Sequence, residues 1–472
     1  MYAPCRSLGR TLTTESTFQM TRAQTWWQKA SRLERAAVML LLGAVCLLPL
    51  TIIALIGIAV HLDHRVAVEM ERQKGLGLPT SAAEYQALRT PVAPDRNAAL
   101  PLREAALLLE KCGVTDLLKD WRLSPDEYAD WPASQREMLQ AFRRGTECRD
   151  IQQHIDQAAA LPECRFERDW FDHDQDCRGP TEDVQPIVSL LHVLAMDDAQ
   201  NGQPEAAAGK LATALRITGL LSEEPALICM LFAENLDATT LRVAAKLAAQ
   251  DTFADAHLAV IQTALDSRPP FHPATWYLQA DRTHTISVFA HIETKKPSII
   301  GNYKVFIQYS PLRILLQADH VAYLDAMRKL ETFAEKPYSP GLLQQQQTIT
   351  SGVPSYAFFS RMLTFSIRDT MVPPLRHAAA LAVLHTGIAV ERHRRATGNY
   401  PARLEDISKE LLPTLPIDPF SAQPPIYRTK NNRLTLLSVG PNMVDNSGDQ
   451  ESDDVAWGKT AAAPAACPVR IR

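Results

Sequence analysis

Glycine is scarce in this chain, at 19 of 472 residues, and no Gly-rich phosphate loop, HExxH, CxxC or GxSxG occurs anywhere in it. Without a backbone cradle for phosphate, paired zinc ligands or a nucleophile elbow, the common enzyme signatures are missing, and only a dispersed site is left as a route to catalysis. An excess of positive charge is missing too. With 49 basic and 53 acidic side chains the formal net charge is −4, so no global field draws in phosphate backbones, and nucleic acid is not an expected partner. What is abundant is alanine, leucine and 32 prolines, a composition that suits helices broken by proline-marked loops and predicts a mainly α fold. The length exceeds one compact core and suggests two or three units.

From Ala36 to Val60 the chain runs for 25 residues without a charge, long enough to cross a bilayer with some tilt. Pro49 lies inside the run, and Trp26 and Trp27 stand about ten residues upstream, where aromatic rings suit the headgroup level. Gly57-Ile58-Ala59 resembles a signal-peptide cleavage site, but the apolar run is too long for a signal peptide. Arg6, Arg10, Arg22, Lys29, Arg32 and Arg35 precede the span against Glu15 and Glu34, while Arg65, Arg72 and Lys74 follow it against Asp63, Glu69 and Glu71. That bias predicts a single-pass inner-membrane protein with a cytoplasmic N-terminus and an extracytoplasmic, periplasmic bulk.

Eight cysteines are present, and six of them, Cys112, Cys148, Cys164, Cys177, Cys229 and Cys467, fall in the portion expected to be exported. Cys164 with Cys177 and Cys112 with Cys148 are the pairs that short loops favour as disulfides; buried free thiols are the alternative.

The expected organisation is a tail over 1–35, the span over 36–60, a Gly/Pro-rich stalk over 61–97, a helical domain over 98–374, an α+β module over 375–458 and a disordered tail over 459–472. In the helical part, Leu102, Ala105, Ala106 and Leu109 share one face, and Met138, Ala141 and Phe142 share another. A loop is expected from Leu161 to Gln185. The runs Pro186–Gln200 and Pro204–Leu221, joined by Asn201-Gly202-Gln203, form a hairpin with proline at each first helical position, and the pair resembles one tetratricopeptide-type unit. Further helices are expected at Ala254–Leu265, Ala274–Glu293, Pro311–Phe333 and Leu375–Ala396, the last with Leu381, Leu384 and Ile388 inward; residues 337–355, with four consecutive glutamines, read as loop. Ile426-Tyr427-Arg428 and Leu434–Leu437 are expected to pair as strands around a turn at Asn431-Asn432.

Three constellations carry candidate chemistry. Asp169, Asp172, His173, Asp174 and Asp176 offer hard ligands within eight residues, or simply a solvated loop. Asp281, His284 and His291 return to one azimuth on a helix and form a possible His/Asp site. Asn442, Asp445, Asn446, Gly448, Asp449, Glu451, Asp453 and Asp454 crowd oxygen acceptors into thirteen residues, a repulsion that a bound Ca²⁺ would relieve; a solvated acidic tail is the other reading.

Ile388-Ala389-Val390-Glu391-Arg392-His393-Arg394, Gly398-Asn399-Tyr400-Pro401, Leu415-Pro416-Ile417-Asp418-Pro419-Phe420 and Ser438-Val439-Gly440-Pro441-Asn442 together resemble the globular part of the type II secretion major pseudopilin. The resemblance covers roughly residues 376–458. It implies a long helix against a small sheet, and Ca²⁺ held in the loop after the last strands, with Asp449, Asp453 and Asp454 as the matching ligands and Asn442 and Asp445 beside them. The family's processing signal does not precede Ala36, and about three hundred residues separate the span from the module, so filament assembly is not implied. The exported portion as a whole is similar to bacterial membrane-anchored proteins of no known activity that carry this module. The expectation is a membrane-anchored interaction or scaffold protein with envelope proteins as partners; the alternative is a membrane-bound hydrolase using a His/Asp site in the helical domain.

Overall fold

The computed structural model describes residues 26–27, 30–88, 91–114, 118, 131–166, 179–224, 227–269, 271–294, 298–300, 303–305, 312–367, 372–431, 433–447 and 454–457. The expected N-terminal tail therefore lies almost wholly outside the described residues, as do the Asp169–Asp176 cluster, Cys177, Cys467, Asp449, Asp453 and the final tail.

Two compact units divide the chain, Met1–Val68 and Glu69–Arg472. The first is dominated by α1 (Arg32–Gly75), whose last turns belong to the second unit. Ser31 starts α1 as a reciprocal cap: its hydroxyl accepts from the Glu34 amide at 3.3 Å, and its own amide donates to the Glu34 carboxylate at 2.8 Å. An 18-residue window of this helix has a mean hydropathy of 2.8 and none of it is buried, so α1 is long and apolar enough to cross a membrane.

The second unit is mainly helical, with a short two-stranded hairpin midway and a small sheet near its C-terminus. Its helices are α2 (Ala82–Leu88), α3 (Ala99–Lys111), α4 (Ala133–Arg144), α5 (Thr146–Ala160), α6 (Gly179–Gln200), α7 (Pro204–Leu220), α8 (Leu227–Ala248), α9 (Asp255–Ser267), α10 (Ala274–Thr294), α11 (Leu312–Ala334), α12 (Pro340–Ser351), α13 (Phe358–Ile367) and α14 (Val372–Thr397). A two-residue gap separates β1 (Ser298–Ile300) and β2 (Tyr303–Val305), which pair antiparallel. Antiparallel β3 (Ile426–Lys430), β4 (Arg433–Ser438) and β5 (Val455–Ala456) form the C-terminal sheet in the order β3-β4-β5. Asn431 takes the left-handed conformation (φ 52°) that the tight β3–β4 turn requires.

One large core joins α3, α5, α6, α7, α8 and α9 to the inner face of α14, and Leu436 and Trp457 from the sheet complete it. The inward stripe of α14 is Leu384 and Ile388 with Val383, while Leu381 is only half-buried. A second cluster is built from Tyr277, Ile286 and Phe289 of α10 with Leu316, Tyr323, Met327 and Leu330 of α11, and α13 closes it with Phe359 and Leu363. Each fully buried leucine or phenylalanine here stabilises by about 1.5–3 kcal/mol relative to exposure, which is why these stripes set the packing.

Several expectations are corrected. Residues 340–351 are helical rather than loop: Pro340 occupies the first turn, where its missing N–H is harmless, and glutamine is a good helix former. Gln346 and Leu342 are buried there. Helix α6 begins at Gly179, so Pro186 lies inside it rather than at its start. In α4 the buried residue is Leu139, with Met138 and Ala141 exposed, because Gln140 and Arg143 turn toward Asp197 and Asp198 of α6. Cys112 and Cys148 are not joined as a disulfide; Cys112 caps the C-terminal end of α3 half-exposed, and Cys148 is buried in the first turn of α5. Cys164 is also a free, buried thiol, and burial raises its pKa. Two helices central to the packing, α8 and α13, have no counterpart in the sequence reading.

Candidate functional site

In the C-terminal loop, Val439 and Gly440 leave β4 into a run of side-chain-closed turns. Asn442 Oδ1 accepts from the Val444 amide at 2.9 Å, and its amide donates to Asn446 Oδ1 at 3.1 Å. Asp445 accepts from the Ser447 amide at 2.9 Å and forms an ion pair with Arg428 of β3, and these contacts hold its carboxyl below the usual range. Asp454, buried beside β5, accepts from the Asn446 amide at 3.0 Å. Thus Asn442, Asp445 and Asp454 are brought to one loop, with Asp445 turned onto Arg428.

Asp281, His284 and His291 all lie on α10. Burial pushes the Asp281 carboxyl up to about 6, against a Tyr323 hydroxyl donating at 3.5 Å, at the long limit for a hydrogen bond. Its neighbour Arg282 forms a buried ion pair with Glu331 of α11. Among the described residues no three His, Cys, Asp or Glu side chains converge on a point that could hold a metal ion, so the shared azimuth does not assemble a metal centre.

Sequence reading passed over a third place, a polar centre enclosed by α7, α8, α9 and α14. Asp237 of α8 is its hub and is fully buried. Its Oδ1 accepts from the Thr218 hydroxyl of α7 at 2.5 Å, and its Oδ2 bonds His377 Nε2 of α14. Arg268, just past α9, places Nη1 2.9 Å from the same Oδ2 as an ion pair without hydrogen-bond alignment. Burial alone would raise the Asp237 carboxyl, but the Arg268 guanidinium and His377 hold it well below the carboxylate range. Phe271 lies against both partners, its ring 4.3 Å from that of His377 and 5.6 Å from the Arg268 guanidinium carbon. Gly219 leaves room for the arginine, since a Cβ there would meet Arg268 Cβ at 3.2 Å.

One turn before Asp237, Glu234 is buried with Oε2 lacking a hydrogen-bond partner among the described residues. Burial and then the Asp237 charge push its carboxyl up to about 9, so it is neutral at pH 7. On the other side, His192 of α6 meets Thr240 at 2.9 Å, and burial pushes the imidazole down to about 3. A Thr–Asp–His chain looks like a proton relay, but Thr218 donates to the aspartate rather than to the histidine, so His377 does not take the Thr218 proton. What the arrangement does chemically is bind four segments to one buried anion. The available signal was the pair Glu234 and Asp237, two acids three apart on one face of an otherwise apolar stretch.

Glu234 yields a pH prediction. Its folded pKa of about 9 exceeds the unfolded value of about 4.3, so the folded chain retains a proton that the unfolded chain releases across that window, and stability falls as pH rises through it. Glu234→Gln should remove that decline, stabilising by about 4 kcal/mol more at pH 8 than at pH 5. Urea unfolding at both pH values reads this directly; an equal effect at each would mean that Glu234 is charged in the fold.

Comparison with protein-family models, with curated proteins and with solved structures finds no match to this chain.

Proposed function

We propose that this chain is a membrane-anchored, extracytoplasmic interaction or scaffold protein of the cell envelope, with a helical body and a pseudopilin-like C-terminal module. The observation that supports it is α1, unburied and apolar over a bilayer's thickness, ahead of a large helical unit. The charge bias across the span directs the bulk outward. A reporter active only outside the cytoplasm should be active when fused after Arg472 and inactive when fused within the first thirty residues. The reversed pattern overturns the orientation, and recovery of the chain free of membranes overturns the anchor.

In the same reading the C-terminal loop takes Ca²⁺. A buried carboxylate at Asp454, linked to Asn442 through Asn446 and within a few residues of Asp449 and Asp453 in sequence, belongs to a hard-oxygen donor set of the kind such an ion takes, and the ion's charge would offset theirs. Asp445 would join only by giving up Arg428. The full chain should melt higher in Ca²⁺ than in chelator, with the gain growing as the logarithm of free ion, and Mg²⁺ should substitute poorly. Asp454→Asn should abolish the gain; an unchanged Ca²⁺ shift in that variant removes the site.

A second reading, a membrane-bound hydrolase, has the Asp237–His377 pair in its favour. Turnover of a model ester, phosphoester or peptide that His377→Ala abolishes while the variant keeps its helical signal would move the assignment to it.

A further inference from the structure

Helices α3 and α5 run antiparallel with their apolar stripes against one core. At one end the Ala98 amide, just ahead of α3, donates to the Glu163 carbonyl, just past α5, at 2.8 Å, and Arg96 pairs with the Glu163 carboxylate at 2.9 Å. At the other end burial, and then the carboxylate of Glu147 in the first turn of α5, raise the thiol of Cys112 at the end of α3. The buried stripe of α3 includes Leu102, Ala105 and Leu109, and the next position in that alternation of three and four is Cys112. In α5 the buried stripe is Cys148, Ile151, Ile155 and Ala158. The apolar members of both stripes share the large core, and Cys112 packs against it.

Height along the pair agrees. Cys112 stands 14 residues beyond Ala98, a helical rise of about 21 Å. Cys148 stands 12 residues before the end of α5, a rise of about 18 Å, with three further residues to Glu163. The two cysteines therefore fall at about the same level, one turn or less apart, on stripes that face each other. Helix axes about 8–10 Å apart leave about 3.5–5.5 Å between opposed Cα atoms, and a disulfide takes about 4.5–7 Å, so the pair lies within its span. Access differs: Cys112 is half-exposed and Cys148 buried, so Cys112 meets a reagent from solution first.

We propose that Cys112 and Cys148 are a redox staple, joined across α3 and α5 when the chain meets an exchangeable disulfide and parted again by excess thiol. The Cys112 thiolate attacks one sulfur of the oxidant and expels the other as a thiolate. The Cys148 thiolate then attacks the Cys112 sulfur of this mixed disulfide and expels the second oxidant thiolate, and the two cysteine protons end on the two released thiols. The new bond closes a loop over residues 113–147 that carries α4, whose Arg143 pairs with Asp197 and Asp198 of α6, so closure fixes that contact too. The chemistry is the same on either side of a membrane, which makes its test independent of the orientation assigned above.

The purified full chain, reduced and then freed of reductant, is incubated in detergent with excess glutathione disulfide, blocked with N-ethylmaleimide and digested with trypsin without reduction. Cleavage after Lys111, Lys119, Arg144 and Arg149 should yield residues 112–119 linked to residues 145–149 in most chains. In the undigested native chain, trypsin should cut at Arg143 and Arg144 about tenfold more slowly after oxidation than before, since cutting there requires local opening of the stapled segment. That difference should disappear in Cys112→Ser, and in Cys148→Ala the Cys112 thiol should stop at its glutathione adduct. Recovery of wild-type Cys112 only as that adduct, or linked to any other cysteine, overturns the proposal, as does a cleavage rate indifferent to oxidation.

Discussion

Asp237→Ala should lower the unfolding free energy of the chain by about 3–5 kcal/mol, because it removes the one anion that Arg268, His377 and Thr218 share and leaves a guanidinium buried without its partner. Urea unfolding of the solubilised full chain, followed by its helical signal, measures this. Replacing the set together, as Asp237→Leu with Arg268→Met and His377→Phe, should recover much of the loss, since burying an ion pair confers little net stability even though breaking one is severe. The single variant should also lose part of the wild type's acid response. A carboxyl held low in the fold contributes fully above its unfolded pKa, about 3.9, and that contribution fades as pH falls below it. If Asp237→Ala unfolds within about 1 kcal/mol of wild type, the centre is not the tie described above.

Gly387→Ala should have an effect of comparable size by a different route. A Cβ at 387 would overlap the Trp457 indole ring, so the ring must leave the surface of α14. Trp457 is buried, and its amide donates to the Leu436 carbonyl at 2.8 Å, so its departure takes β5 off β4 as well as a large aromatic out of the core. Losing that packing costs about 3–5 kcal/mol by analogy with deleting a buried aromatic side chain. The comparison is Gly209→Ala in α7, where the added Cβ meets nothing within 4 Å and stability should rise by up to about 1 kcal/mol through helix propensity. Red-shifted tryptophan emission and faster proteolysis of the C-terminus should appear in the first variant and not in the second. A Gly387→Ala protein that melts and fluoresces like wild type would show that Trp457 does not rest on α14.

What the sequence made legible follows from where the signal is local. The span was readable because 25 uncharged residues allow few other structures, and the β3–β4 hairpin because alternating Leu434 and Leu436 follow a residue that tolerates positive φ. Helix α8 was not, since Leu227 to Ala233 is continuously apolar and shows no period to read. Glutamines 344–347 look like a polar linker, yet their helix propensity and the anchoring of Leu342 prevail. The polar centre was hidden for another reason: its members run from Thr218 to His377, and only the packing of four separate segments brings them within hydrogen-bond reach. For Asp281, His284 and His291 the shared face was correct arithmetic, but ten residues of helix spread them over about 15 Å, and among the described residues no three such side chains meet.

Helix α14 ties the large core of the second unit to its C-terminal sheet. Near its start His377 reaches the buried aspartate, midway Gly387 receives the sheet's tryptophan, and at its end Arg392, Arg394 and Arg395 bind Asp255, Asp251 and the Phe253 carbonyl at the base of α9. The C-terminal part of the chain is therefore not a separable cassette. A chain truncated ahead of residue 372 would forfeit a wall of its own interior, and one that began there would expose the apolar stripe of Val383, Leu384 and Ile388 to water.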